Sequence, residues 1–391
     1  MTSPDTLTNP PRGLKGVIVT DTEVGDVRGD EGYYHYRQHS ATELARTRPL
    51  EDVWQLMLDG RLPTTADERE AFAAEVRPLR ALPDRVAEAL PLLTTASPLD
   101  GLRTALSLTG ATLGLQPLLD ADPTARRLDA LRISAVTPTL LAALHRLSRG
   151  LTPIEPRADL GAGANLLWML TGDEPHAAHA RAVETYLITT IDHGFNASTF
   201  TARVVASTGA DLAACIVAAV GALSGPLHGG APSRALDLLD EIGTADRIDA
   251  VVASILERGE RLMGFGHAVY RTDDPRSVLL REVARGLGSA SADARARVAF
   301  AEDVERRVVE LLALHRPGRE LRTNVEFYAG VVMDVCGIPR DMFTPTFASS
   351  RVIGWCANVL EQAADPKIIR PSARYVGPPL APVPELASPM S

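Results

Sequence analysis

The chain has 391 residues, a formal net charge of −9 at pH 7 and 45% hydrophobic residues. A chain of this length can bury a full-sized core and is more typical of two domains than of one. The acidic balance excludes the basic face that a nucleic-acid-binding protein needs, so no nucleic-acid partner is expected. Aromatic residues are scarce at 5%, whereas Ala, Leu and Arg are abundant, which favours helix over sheet. The composition therefore predicts a mostly helical protein.

Nothing in the sequence indicates a membrane segment, a secretory signal or a metal site. The polar residues 1–12 are predicted to form a loose arm, and they lack the basic and apolar regions of a signal peptide. The longest apolar run, residues 212–223, is too short to span a bilayer. Cys215, Cys336 and Cys356 stand far apart without CxxC spacing, so neither a disulfide framework nor a zinc site is expected. We expect a cytoplasmic protein with no membrane partner.

The first predicted elements are a short extended region and a series of helices. A β-branched run at 14–19 predicts a strand or an extended segment before a glycine-rich turn at 29–32, so any sheet is small and peripheral. Gly60 is typical of a helix stop, and Thr65 begins a capping-box pattern that is typical of a helix start. The pair Thr137-Pro138 is predicted to begin another helix. Further helical patterns cover 164–170, 174–192, 197–206, 211–223, about 292–314 and 344–360.

The composition and the hydrophobic pattern of the sequence change near Gly225. A Gly/Pro-rich break is followed by amphipathic helical patterns from Pro232 and Arg247, and then by a glycine-rich loop at 263–267. The apolar pattern at 344–360 returns to core-like composition before a proline-rich tail. We therefore predict a large domain over 1–228, an inserted smaller domain over 229–336, and a return to the large domain over 337–391.

Two glycine-flanked histidines and one carboxylate are the candidate catalytic residues. His228 and His267 each lie beside glycines, which let the backbone turn tightly and approach a ligand closely, and Glu326 lies at the start of an apolar helical pattern. Each also has an ordinary structural interpretation, because a histidine can cap a helix end and the helix dipole favours a carboxylate in the first turn. His193, which precedes Gly194, is likewise either a functional residue or a histidine with a local structural role.

Arginines near these motifs strengthen the functional interpretation. Arg271 and Arg276 follow His267, and Arg351 and Arg370 come later in the chain. Because guanidinium binds carboxylate or phosphate bidentately, arginines around glycine loops in an acidic chain predict a substrate with several negative charges. Arg351 lies within an apolar helical pattern, where a buried charge needs a partner.

Together these motifs resemble those of the citrate synthases. The resemblance is carried by Asp192-His-Gly-Phe-Asn-Ala-Ser-Thr-Phe200, Gly225-Pro-Leu-His-Gly-Gly230, Gly264-Phe-Gly-His-Ala-Val-Tyr270, Asp274-Pro-Arg276, Asn324-Val-Glu-Phe-Tyr328 and Ile369-Arg-Pro371. It reaches back to Gly13-Leu-Lys-Gly16 and so covers nearly the whole chain. Within the family, the chain is most similar to the short, dimeric citrate synthases and methylcitrate synthases of bacteria.

The resemblance implies an all-α homodimer in which a smaller helical domain closes over the substrates. It implies condensation of acetyl-CoA with oxaloacetate and water to citrate and CoA, the entry to the tricarboxylic acid cycle, with no cofactor and no metal. His228 would donate a hydrogen bond to the thioester carbonyl, Glu326 would remove a methyl proton, and His267 would protonate the ketone of oxaloacetate. The other implied contacts are His193, Arg276, Arg351 and the partner subunit's Arg370 for oxaloacetate, Arg271 for the CoA phosphates, and the backbone of Met263, Gly264, Phe265 and Gly266 for the adenine.

The chain departs from the family pattern at the catalytic base. The family usually has aspartate where this chain has Glu326, and the extra methylene moves the carboxylate by about one bond. Because Asn324, Phe327 and Tyr328 keep the pattern, a working enzyme is the favoured interpretation. One alternative is 2-methylcitrate synthesis from propionyl-CoA, since one methylene in an apolar pocket is worth only ~1–3 kcal/mol. The other is a catalytically weak paralogue that binds CoA or a dicarboxylate.

Overall fold

The computed structural model describes residues 10–383, except for 227, 229, 230, 268, 290, 319 and 366 and the side chains of 231–233. Most of the predicted N-terminal arm and the end of the proline-rich tail therefore lie outside the described residues. The same holds for four positions of the sequence motifs, 227, 229, 230 and 268.

Three short strands near the N-terminus form one antiparallel sheet in the order β1, β2, β3. They are β1 (Gly25–Arg28), β2 (Tyr33–Tyr36) and β3 (His39–Ser40). The predicted turn at 29–32 joins β1 to β2, which confirms a small peripheral sheet. Of the two alternatives predicted for 14–19, the strand is not formed: in the described chain, residues 17–22 have no regular secondary structure. The sheet forms instead where Tyr34 and Tyr36 are buried against the rest of the protein.

Sixteen α-helices account for most of the described residues, which confirms the prediction of a mostly helical protein. None of these described helices is both long and apolar enough to cross a bilayer. They are α1 (Ala41–Thr47), α2 (Leu50–Asp59), α3 (Ala66–Val76), α4 (Asp84–Ala89), α5 (Pro98–Leu113), α6 (Pro123–Ser148), α7 (Ala162–Thr171), α8 (Ala177–Thr190), α9 (Ala197–Ala206), α10 (Leu212–Leu223), α11 (Ala231–Ile242), α12 (Ile248–Glu257), α13 (Pro275–Leu287), α14 (Ala292–His315), α15 (Val325–Val335) and α16 (Phe343–Ala363).

Local signals predicted several helix ends correctly. The side chain of Thr65 accepts a hydrogen bond from the backbone N–H of Glu68 at 3.1 Å, so the predicted cap begins α3. Gly60 ends α2 with a φ of 72°, in the left-handed region that suits glycine. These ends depend on residues only a few positions apart, which is why the sequence alone could reveal them.

The prediction that Thr137-Pro138 begins a helix is wrong. α6 begins at Pro123, and the side chain of Asp122 caps it by accepting a hydrogen bond from the N–H of Ala125 at 2.9 Å. Pro138 lies inside this helix, where it lacks the N–H that would bond to the preceding turn, at a cost of about 3 kcal/mol. Packing of α6 against α5, α7 and α16 outweighs this local cost.

The core of the larger helical group is built around α16, which packs against α6, α8, α9 and α10. Most of α16 is buried, including the large side chain of Trp355. A Cβ on Gly354 would lie only 2.0 Å from the carbonyl oxygen of Ile191, so only glycine permits this approach to the end of α8. This contact places Arg351 of α16 beside the residues that follow α8.

A second group of helices lies between α10 and α16 in the chain. Within it, α13 packs against α14 and α15, and α12 packs against α14. α13 and α15 also contact α8. The first turns of α13 and α15 thereby face the end of α8. The predicted domain boundaries at 228/229 and 336/337 stay predictions.

Candidate active site

A cavity of about 760 Å³ opens where the end of α8, the starts of α13 and α15, and α16 meet. Seven of the predicted site residues line this cavity, and five do not. Those that line it are His193, His228, Gly266, His267, Arg276, Glu326 and Arg351. Those that do not are Met263, Gly264, Phe265, Arg271 and Arg370.

The glycine-rich loop is hydrogen-bonded to the residues just before α15. The N–H of Gly266 donates to the carbonyl of Arg322 at 2.7 Å, and the N–H of Asn324 donates to the carbonyl of Gly264 at 2.9 Å. Gly264 and Gly266 have φ values of 87° and 84°, and a Cβ on Gly264 would lie 3.2 Å from Phe327. This pairing explains why the glycines are needed, because it brings the predicted catalytic groups of two distant motifs to one cavity.

The hydrogen bonds of His267 fix its tautomer. The backbone N–H groups of Val269 and Tyr270 both donate to Nδ1 at 2.9 Å, so Nδ1 is unprotonated and Nε2 carries the proton. Nε2 lies 3.1 Å from Nη2 of Arg276, which is also a donor. Burial and the neighbouring Arg276 lower the pKa of His267 to about 4, so the ring is neutral at pH 7. The two nitrogens are therefore neighbours in the lining of the cavity, where a bound anionic or carbonyl oxygen can contact both.

Asp274 connects Arg276 to the start of α15. Its carboxylate accepts hydrogen bonds from Nε and Nη2 of Arg276 at 3.0 and 2.8 Å, and from the N–H of Val325 at 3.0 Å. Burial opposes its charge, but the bonds with Arg276 outweigh burial and lower the pKa of Asp274. Asp274 belongs to a motif noted in the sequence, but no role was predicted for it.

Arg351 presents a buried cation to the cavity. Its Nε donates to the carbonyl of Thr190 at 2.8 Å, and its guanidinium lies 4.5 Å from the ring centroid of Phe347. Burial lowers the pKa of Arg351, and no carboxylate lies within ion-pair distance of it in the described part of the chain. A cation held in this way favours binding of an anion in the cavity.

His193 packs against Tyr270 and His267 in the lining of the cavity. Its Nε2 lies 2.9 Å from the hydroxyl of Tyr270, and its ring stands edge-on to that of His267 at 5.8 Å between centroids. Burial and the charges of Arg276 and Arg351 lower the pKa of His193 well below its usual range. The ring is therefore neutral and can donate one hydrogen bond without adding charge.

Glu326 lies in the first turn of α15 with its carboxylate facing the cavity. Its backbone N–H donates to Oδ1 of Asn324 at 3.0 Å, which caps the helix. Burial raises the pKa of Glu326 to about 7, while Arg276 and Arg351 oppose this and Asp274 adds to it. A carboxylate with this pKa can take up and release a proton near neutral pH.

His228 lies on the turn that follows α10. Its Nε2 lies 2.8 Å from Oγ of Ser198, and the indole N–H of Trp355 donates to the same Oγ at 3.2 Å. Burial and the charge of Arg351 lower the pKa of His228. The ring is thus neutral at pH 7, and a neutral imidazole can donate an N–H to a developing oxyanion.

The N-terminal segment is a part of the site that the sequence reasoning missed. Residues 17–20 line the cavity, and Ile18 keeps 88% of its surface exposed. The segment is held to α16, because the hydroxyl of Thr22 and the N–H of Glu23 donate to the carboxylate of Glu361 at 2.8 and 2.7 Å. The extension of the resemblance to residues 13–16 was the only signal that could have indicated this.

The site as a whole suits proton transfer on a substrate with several negative charges. It combines neutral imidazoles, two buried guanidinium groups and two carboxylates of raised pKa, Glu326 and Asp192. The described residues include no group of three or more His, Cys, Asp or Glu side chains that could hold a metal ion.

Comparison with known proteins decides the family. The family description "Citrate synthase, C-terminal domain" matches residues 13–372. The chain belongs to the citrate synthase family. The citrate synthase of Deinococcus radiodurans is 38% identical over 373 residues, which cover 95% of this chain and 97% of that protein. Family membership confirms the resemblance seen in the motifs and the acyltransferase class.

Solved structures of the family have the same fold. Citrate synthase from Pyrobaculum aerophilum superimposes with a TM-score of 0.86 at 37% identity, covering 95% of this chain and 94% of that one. Citrate synthase from Thermoplasma acidophilum, solved as a ternary complex with carboxymethyl coenzyme A and oxaloacetate, gives a TM-score of 0.87 at 27% identity, covering 95% and 97%. These likenesses confirm the citrate synthase-like all-α fold.

Proposed function

We propose that the chain condenses acetyl-CoA with oxaloacetate and water to give citrate and CoA. The observation that carries the proposal is one cavity lined by His228, His267 and Glu326 beside two buried arginines. The complex of the Thermoplasma acidophilum relative with a CoA analogue and oxaloacetate supports the same two kinds of substrate here.

Oxaloacetate carries two carboxylates and a ketone, and the cavity has donors for each. Arg276 and Arg351 bind the carboxylates, with His193 donating a further hydrogen bond. The Nε2–H of His267 faces the ketone oxygen. Because Asp274 engages Nε and Nη2 of Arg276, it fixes the plane in which the remaining guanidinium N–H groups meet the ligand.

Enolisation of acetyl-CoA is the demanding step. The thioester methyl group is a very weak acid, so a carboxylate can remove its proton only if the enolate oxygen meets a preorganised donor. Glu326 removes the proton, and the neutral ring of His228 donates a hydrogen bond to the thioester oxygen. The raised pKa of Glu326 makes its carboxylate a stronger base than one in water.

Carbon–carbon bond formation follows in the same cavity. The enolate carbon attacks the ketone carbon while His267 gives its Nε2 proton to the ketone oxygen, and water then hydrolyses the citryl-CoA thioester. Arg271 binds the CoA phosphates, and the backbone of 263–266 lies along the adenine. Closure of a smaller domain, 229–336, over the large one excludes water until condensation is complete.

Release of free thiol from acetyl-CoA, with and without oxaloacetate, tests the proposed function. We expect release that depends on oxaloacetate and is faster than with propionyl-CoA in a parallel assay. The enzyme's own background is small because Cys215, Cys336 and Cys356 are all buried. No release from either thioester would contradict the proposal and favour a silent ligand-binding paralogue.

We expect activity to fall on the acid side of neutrality because Glu326 must be ionised to act as the base. Its pKa of about 7 predicts that kcat/KM for acetyl-CoA rises about tenfold per pH unit well below pH 7 and levels off above it. The His267 pKa of about 4 leaves that ring neutral throughout. Burial also raises the pKa of Asp192 to about 6, so this second carboxylate titrates in the same pH range. The pH profile of Asp192→Asn is the control, and it should keep the loss of activity below pH 7 if Glu326 causes that loss. A wild-type profile that is flat between pH 5.5 and 8 argues against Glu326 as the base.

The active form is a homodimer in which Arg370 reaches the partner's cavity. Arg370 is exposed on the segment after α16 and does not line the cavity of its own chain, which supports this arrangement. Hybrid dimers of Arg370→Ala and His228→Ala subunits, purified through two different tags, contain one intact shared site. We expect about half the activity of the wild-type dimer, although each parent is inactive. Hybrids as inactive as their parents would show that the arginine is not shared.

A further inference from the structure

Glu305 of α14 lies at the centre of a hydrogen-bonded cluster behind the active site. Its Oε1 accepts a hydrogen bond from Oγ1 of Thr323 at 2.6 Å, and its Oε2 accepts a short hydrogen bond from the hydroxyl of Tyr328. Nη1 of Arg281 lies 3.3 and 3.2 Å from the two carboxylate oxygens. One carboxylate therefore satisfies three donors from different parts of the chain.

The cluster surrounds the turn that carries Glu326. Thr323 lies three positions before Glu326, and Tyr328 lies two positions after it. Thr323 also accepts a hydrogen bond at 3.0 Å from Oγ of Ser277, the neighbour of Arg276 in α13. The cluster thus joins the start of α15 to the start of α13, the two turns that supply the proposed base and one oxaloacetate ligand.

Burial of two of its members makes their contacts with Glu305 firm. Tyr328 is fully buried and Thr323 is 7% exposed. Burial, and then the charge of Glu305, raise the pKa of Tyr328, so its hydroxyl stays protonated and remains a donor. None of Glu305, Thr323 or Tyr328 lines the cavity of about 760 Å³, and Glu305 and Arg281 line a different cavity, so the cluster acts on Glu326 through the backbone that it holds.

We propose that Glu305 is a positioning residue that fixes the direction from which Glu326 approaches the methyl group of the thioester. The inference rests on the proposed function. The glutamate side chain has one more rotatable bond than the usual aspartate, and no side chain in the described part of the chain donates a hydrogen bond to its carboxylate. The position of the Glu326 carboxylate therefore depends on the backbone of the first turn of α15. A misplacement of 1 Å can cost about 10²-fold in rate.

Glu305→Gln tests this role. The amide keeps the shape, but an NH₂ group replaces one of the two carboxylate oxygens that accept from Thr323 and Tyr328, so one of these hydroxyls loses its acceptor. We expect kcat to fall about 10- to 100-fold, with the affinity for oxaloacetate unchanged. We also expect a larger primary isotope effect on kcat with acetyl-CoA deuterated at the methyl group. A misplaced carboxylate slows proton removal and so makes this step more strongly rate-limiting. A purely structural role would lower the melting temperature without changing the isotope effect.

Two further variants complete the test. Glu302→Gln is the matched control, because Glu302 lies one turn earlier on α14, forms an ion pair with Arg285 and should leave kcat unchanged. Tyr328→Phe removes one hydrogen bond to Glu305, keeps the buried ring and should give a smaller change in the same direction as Glu305→Gln. The inference is overturned if both Glu305→Gln and Tyr328→Phe keep the kcat and the isotope effect of the wild type. It is also overturned if activity falls only in proportion to the amount of folded protein. If the wild-type enzyme itself releases no CoA, the proposed function fails and the inference falls with it.

Discussion

Replacing Glu326 by glutamine is expected to lower kcat for condensation by roughly 10²- to 10⁴-fold, the range that a positioned general base contributes. The amide has nearly the shape of the carboxylate but cannot accept the methyl proton. Because the proposed oxaloacetate ligands Arg276 and Arg351 are unchanged, the dissociation constant for oxaloacetate should stay within about threefold. Steady-state kinetics together with titration calorimetry measure both quantities on the same preparation.

Glu326→Asp is the informative companion, because aspartate is the residue that the family usually has here. It keeps the base but withdraws the carboxylate by about one bond, so we expect activity below that of the wild type and well above that of the glutamine variant. Turnover of Glu326→Gln within tenfold of the wild type would remove Glu326 from the mechanism.

Replacing Arg351 by methionine is expected to separate ligand binding from protein stability. A hydrogen bond to a charged group contributes about 1.5–3 kcal/mol, so the affinity for oxaloacetate should fall about 10- to 100-fold or more. The unliganded protein should lose little stability, because methionine replaces a buried cation that has no carboxylate at ion-pair distance among the described residues. The increase in melting temperature that oxaloacetate produces in the wild type should therefore be lost.

Arg203 offers a matched control for this experiment. It is equally buried, but its guanidinium is hydrogen-bonded to Gln362 and Asn358 at 3.0 Å each and pairs with Glu361 at 2.5 Å. Arg203→Met leaves these groups without their partner and should lower stability by about 3–5 kcal/mol. Oxaloacetate should still stabilise the folded fraction. A strong loss of stability in Arg351→Met, with oxaloacetate affinity intact, would contradict the assignment of Arg351 to the ligand.

Sequence signals predicted the parts of the fold that depend on near neighbours. The cap at Thr65 and the stop at Gly60 act within one helical turn. The interpretation of Pro138 failed because α6 is stabilised by helices distant in sequence, which local spacing does not reveal. The strand alternative for 14–19 was not formed, and the strands lie later in the chain because the burial of Tyr34 and Tyr36 depends on α8: their hydroxyls donate to the carbonyls of Thr189 and Ile188.

The same distinction holds for the active site. The motifs identified seven of the residues that line the cavity, because glycine-flanked histidines and arginines carry recognisable chemistry. The supporting residues were missed: Asp274 contacts Val325 across 51 positions, and Glu305 contacts Thr323 across 18. No local pattern relates these positions, so their roles follow only from the folded chain.

The most direct test of the account uses acetyl-CoA that carries three deuterons on its methyl group, with oxaloacetate as the second substrate. The account predicts one citrate for each CoA released, and citrate that retains two deuterons, because Glu326 removes one deuteron before the new bond forms. Mass spectrometry of the product gives both results. Release of CoA as acetate without citrate, or release that does not depend on oxaloacetate, would contradict the assignment of this cavity to a condensation.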